Sequence, residues 1–134
     1  MPHRFIVALG FALALAACTS KTDTTSSSST SSTTQSNGYS IAMQFAPDPP
    51  KQGPETITLT VKDAGGNPVK GASVKIVTKM PAMSMDGPTL TASDNGDGSY
   101  AAQTNLNYGT QWTFDVTVSA NGKTGKTHLT QDVK

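Results

Sequence analysis

The chain has 134 residues, ten Lys and Arg against nine Asp and Glu, a formal net charge of +1 and a single cysteine. A near-balanced charge with no basic cluster argues against a nucleic-acid partner. One cysteine leaves no pair to staple the fold internally, so a folded domain here stands on its core alone.

Read in chain order, the first element is not part of a fold. "MPHR" is a short basic start, and "FIVALGFALAL", Phe5–Leu15, is an apolar run too short to cross a bilayer as a helix, which takes about 20 residues. Small residues follow, then Cys18. A basic start, an apolar run and a small-residue cleavage site make a secretory signal over 1–17. "LAAC", Leu15–Cys18, resembles the lipobox of bacterial lipoproteins. The resemblance implies cleavage before Cys18, a diacylglyceryl thioether on its sulfur and an acyl group on its nitrogen. Two or more acyl chains suffice to hold a protein on a lipid bilayer. The implied location is the bacterial cell envelope, facing the periplasm. Thr19 after Cys18, where an Asp would be an inner-membrane signal, implies the outer membrane if the cell has two.

"TSKTDTTSSSSTSSTTQSN", Thr19–Asn37, is almost entirely Ser and Thr with no apolar residue. Such a segment cannot bury enough surface to offset its ordering entropy. Residues 18–37 are therefore expected to form a lipidated tether, and 38–134 a single domain.

In that domain the apolar residues recur with period two. "YSIAMQF" places Tyr39, Ile41, Met43 and Phe45 on one face, and "TITLTVK" does the same with Ile57, Leu59 and Val61. "ASVKIVT" contributes Val74 and Ile76, and "WTFDVTV" contributes Trp112, Phe114, Val116 and Val118. "TLTAS", "SYAAQTN" and "KTHLTQD" are weaker strand signals. "DAGGNP", "DNGDG", "NYG" and "NG" separate the runs as turns, and Pro47, Pro49, Pro50 and Pro54 stiffen the first connection. About seven short strands, one face apolar and the other polar, predict an all-β, immunoglobulin-like antiparallel sandwich.

Catalytic signals are sparse, and no enzyme activity is expected. Once the signal is removed one histidine remains, His128; Leu129 has the core parity of its strand, so His128 is expected on the surface. There is no phosphate-binding glycine loop and no HExxH. "DNGDGS" places Gly96 and Gly98 where an EF-hand loop beginning at Asp94 needs oxygen ligands, and reads as a hairpin turn instead.

The remaining feature is "KMPAMSMDGP", Lys79–Pro88, with Met80, Met83 and Met85 within six residues. Met43 has core parity; these three lie on a Pro- and Gly-interrupted loop. A thioether is a soft ligand suited to Cu(I) and Ag(I) and poor for Mg²⁺, Ca²⁺ or Zn²⁺, and it survives in an oxidising envelope where cysteines pair. Three readings stand on the residues alone. The loop plugs the open end of the sandwich, since Met fills irregular gaps; or it holds a soft metal; or it docks a partner as an adaptable surface.

"DAGGNPVKGASVKIVTKMPAMSM", "GDGSYAAQTNL" and "GTQWTFDVTV" together resemble the YtkA-like domain family. The matching positions are Pro68-Val69, Gly71-Ala72, Met80-Pro81, Met83, Met85, Gly98, Tyr100, Gly109 and Trp112. The resemblance implies a small envelope β-sandwich associated with copper or heavy-metal handling. It makes Met80, Met83 and Met85 the expected metal ligands, Cu(I) the expected cargo, and an envelope protein in metal handling the expected partner beside the bilayer. The alternative is an interaction module without metal, its Met loop a plug or docking surface.

Overall fold

The computed structural model describes residues 32–134. The signal 1–17, Cys18 and the tether as far as residue 31 lie outside the described residues. Eight strands follow in order: β1 Ser32–Ser36, β2 Tyr39–Ala46, β3 Gly53–Lys62, β4 Ser73–Met80, β5 Met85–Asp94, β6 Ser99–Leu106, β7 Gln111–Ala120 and β8 Lys123–Asp132. A single 3-10 turn, Pro81–Met83, is the one helical element among the described residues.

Every pairing is antiparallel, in the order β1-β2-β3-β6-β5-β4-β7-β8. β5 joins the two layers: Thr89–Ala92 pair with β4, while Ser93 and Asp94 pair with β6. The sheet therefore folds over on itself into a sandwich, and its outer strands approach each other. The Ser36 hydroxyl accepts from the Lys126 N–H at 2.9 Å, and the Asn37 amide donates to the Thr124 carbonyl at 2.6 Å. The result is nearly a closed barrel, and it meets the all-β expectation with one strand more than anticipated.

The additional strand is β1, which falls inside the segment expected to be tether. The domain therefore begins by Ser32 rather than at Gly38. Its residues carry no apolar signal, but Thr favours the extended backbone and β2 supplies a continuous ladder from Ser32↔Met43 to Ser36↔Tyr39. Asn37 and Gly38 have φ of 49° and 83°, the left-handed pair that a two-residue hairpin turn needs. Asn121-Gly122 closes the β7–β8 hairpin in the same way, with φ of 51° and 72°.

The alternating residues of the sequence form the core: Ile41, Met43, Ile57, Leu59, Val61, Val74, Ile76, Tyr100, Trp112, Phe114, Val116 and Val118 are all buried. Phe45 of one layer meets Phe114 of the other edge-on, ring centroids 5.2 Å apart. The connections β1–β2, β3–β4, β5–β6 and β7–β8 gather at one end, the turn end. The β2–β3, β4–β5 and β6–β7 connections and the C-terminus gather at the other, the methionine end.

Candidate metal site at the methionine end

The β4–β5 hairpin carries all three loop methionines. Pro81 cannot donate to a ladder and opens the 3-10 turn, and Ser84 ends it in the left-handed region at φ 52°. Strand pairing then resumes with Met80↔Met85 and Lys79↔Asp86. Between there and Val77↔Thr89 the register slips by one, so β5 carries one extra residue around Gly87-Pro88.

Gly87 sits in this irregularity because nothing larger fits. A β-carbon there would lie 2.4 Å from Thr78 Oγ1 and 2.9 Å from Trp112 Cζ3. The hairpin root is thus pressed onto the Trp112 ring. Thr78 reinforces it by donating to the Pro88 carbonyl at 2.7 Å, and the Trp112 indole N–H donates to the Tyr108 carbonyl at 3.0 Å. The tip that carries the thioethers stands on a fixed base.

The three methionines separate by depth. Met80 is the last residue of β4 and is 3 % exposed, part of the core. Lys79 pairs with Thr113, so Met80 lies beside Trp112, both facing inward. Met85 pairs directly with Met80, and directly opposed residues share a face with β-carbons about 4.5–5.5 Å apart. Met85 is nevertheless 42 % exposed and Met83, on the tip, 41 %. The fold brings Met80 and Met85 together across the ladder and sets Met83 two residues from Met85 at the rim. Neither a fully buried plug nor a fully open cluster describes the trio. Tyr108, on the β6–β7 loop at the same end, is the third exposed large apolar side chain among the described residues.

Two features escaped the sequence reading. Asp115 and His128 are cross-strand partners, and their side chains pair at 2.5 Å through Nδ1, with Thr130 Oγ1 3.4 Å from Nε2. His128 is on the surface as expected, its side chain 59 % exposed. The β7–β8 register that makes the pair is not visible in either strand alone. The second feature is Glu55, the only glutamate in the chain. It is 2 % exposed, and neither carboxylate oxygen accepts a well-formed hydrogen bond. Burial pushes its carboxyl up, the backbone N–H groups of Lys51 and Ala46 oppose this only in part, and the Asp48 charge adds to the rise. The signal was present in the sequence: Glu55 has the same parity as Ile57, Leu59 and Val61.

Among the described residues no three His, Cys, Asp or Glu side chains are grouped to hold a metal.

A family model described as YtkA-like matches residues 33–124. A chain matched over that length belongs to the YtkA-like family. No curated protein matches it. Among solved structures, the chain is similar to a DUF4426 family protein from Pseudomonas aeruginosa PAO1. The TM-score is 0.55 and the identity 12 %, over 75 % of this chain and 94 % of the other. At that identity the likeness is one of fold. The family match begins at Thr33, within β1, in keeping with a domain that starts before Gly38.

Proposed function

We propose that this YtkA-like domain is a non-enzymatic binding module of the bacterial envelope, anchored to the bilayer through acylated Cys18. Met83 and Met85 would take up Cu(I), or its analogue Ag(I), with Met80 as a third donor beneath them. The module would buffer the ion or pass it to an envelope partner. The observation that carries this reading is the placing of two half-exposed thioethers at the rim of one end, one of them directly opposite a third, on a hairpin fixed to Trp112. Thioethers suit a soft monovalent ion. They have no proton to lose, so binding would not compete with protonation of the ligands as it does at Cys or His.

The test is competition for Cu(I) against a chelator of known affinity. The full chain would carry Cys18→Ser, so that thioethers are its only soft donors, and would be compared with the same chain bearing Met83→Leu and Met85→Leu. The parent should compete, and the double variant should weaken by more than the roughly 10–100-fold that losing a partner behind the ligands costs. Equal affinities, or no competition by either, would refute the metal reading.

A docking role is favoured by one further observation. Met83, Met85 and Tyr108 put their exposed apolar surface at the same end. If that surface serves a partner without metal, the double Leu variant retains partner binding.

A further inference from the structure

Three buried side-chain polar atoms among the described residues make no well-formed hydrogen bond: the hydroxyl of Thr104 and both carboxylate oxygens of Glu55, which the Lys51 and Ala46 N–H groups stabilise only in part. They are not scattered. Glu55 and Thr104 are paired residues of β3 and β6, on the inward face.

The Phe45–Phe114 contact fixes which rows of the two layers face each other. Phe45 lies in a row with Ile57 and Ala102; Phe114 lies in a row with Thr78 and Leu129. One inward step toward the methionine end, the first layer presents Glu55 and Thr104. The same step on the second layer presents Trp112, Met80 and Met85. Packed sheets stand about 10 Å apart. Counted from that contact, the Glu55–Thr104 row and the Trp112–Met80–Met85 row occupy the same step of the two layers.

A buried carboxylate whose hydrogen bonds only partly offset its desolvation is costly, and native structures rarely keep one without a compensating group. A monovalent cation held by neutral thioethers has the complementary problem: it brings a positive charge to a half-buried site with nothing to balance it. We propose that Glu55 is the counter-charge of the thioether site, so that the methionine end holds a soft monovalent cation between sulfur donors on one layer and a buried carboxylate on the other. This rests on the metal reading above and adds to it a residue far away in sequence. It also gives the site a charge preference: Glu55 balances one positive charge and leaves a divalent ion uncompensated. Thr104, uncharged beside it, contributes no such term.

The test uses Ag(I) with the full Cys18→Ser chain and its Glu55→Gln, Glu55→Asp and Thr104→Val variants, each checked for folding by circular dichroism. Glu55→Gln should weaken Ag(I) binding about tenfold, the size of a unit-charge attraction at roughly 10–12 Å and an effective dielectric of about 20. Glu55→Asp keeps the charge and should retain most of the affinity, and Thr104→Val should change it less than about twofold by the same argument. If Glu55→Gln binds as tightly as the parent, or Thr104→Val weakens binding as much as Glu55→Gln does, the counter-charge is overturned while the thioether site stands. If the parent itself does not bind Ag(I), the metal reading fails first and this inference falls with it.

Discussion

The two ends of the sandwich are built from the same strands and differ in how they are finished. At the turn end the polar groups are closed off. The Tyr100 hydroxyl donates to the Val69 carbonyl at 2.7 Å and accepts from the Ala72 N–H at 2.9 Å, and the Tyr39 hydroxyl donates to the Ala120 carbonyl at 2.7 Å. Asp94 accepts from the Gly71 and Gly96 amides, and Asp63 from Gly65 and Asn67. At the methionine end Glu55 and Thr104 make no well-formed side-chain hydrogen bond, and Met83, Met85 and Tyr108 are exposed. Local rules are obeyed at one end and broken at the other, and broken rules concentrate where a protein meets something else.

The carboxylates report the same contrast. Asp63 is held below the ordinary range, first by the Asn67 backbone N–H, and Asp97 first by the Ser99 hydroxyl. Glu55 is pushed above it by burial. At the turn end the fold stabilises charge; at the methionine end it resists it.

The comparison can be broken most forcefully at Met80. If it is core, Met80→Ala should cost about 2–5 kcal/mol in urea unfolding, while Met83→Leu and Met85→Leu stay within about 0.5 kcal/mol of the parent. Similar costs at all three positions would mean that the hairpin is a single plug. Next in size is the turn end. Tyr100→Phe strips partners from the Val69 carbonyl and the Ala72 N–H and should cost about 1–3 kcal/mol; a negligible cost would mean that the closed end is not closed by that hydroxyl.

The opposite sign is expected at Glu55, where Glu55→Gln should gain about 1 kcal/mol or more at neutral pH in the metal-free chain. Its folded pKa is raised, so the protonated form is the one the fold favours. That contribution is fully present below the unfolded value near 4.5 and is lost as pH rises through the folded value. The advantage of the Gln variant over the parent should therefore grow with pH from about 4.5 upward and vanish below it. A gap that instead widens toward acid would contradict a carboxylate whose burial outweighs its hydrogen bonds. For Asp63 and Asp97 the sign reverses: their contribution is present above the ordinary carboxylate range and is lost as pH falls.

Much of this architecture was legible in the sequence. Period-two alternation placed Ile41, Met43, Phe45, Ile57, Leu59 and Trp112 in the core because a pleated strand puts alternate residues on one face. The Asn121-Gly122 turn was legible because few residues tolerate a left-handed backbone, whereas Asn37-Gly38, at the border of the expected tether, was missed. β1 was not, since an edge strand of Ser, Thr and Gln is held by main-chain pairing that composition does not reveal. The trio was seen as a loop, but its division was hidden. Met80 turned out to be the last inward residue of β4, and its pairing with Met85 depends on the extra residue near Gly87, which packs on Trp112 from a distant part of the chain. Glu55 escaped the reading although its core parity is present in the sequence. That its row matches the step of Met80 in the other layer needed the Phe45–Phe114 contact.

The most direct measurement is the response of the methionine methyl groups to Ag(I). In the full Cys18→Ser chain with ¹³C-labelled methionine methyls, stoichiometric Ag(I) should shift the signals of Met83, Met85 and Met80. The signal of Met43, in the core on β2, should stay in place. Signals from the three hairpin methionines that do not move, or a shift shared equally by Met43, would contradict a thioether site at this end of the sandwich.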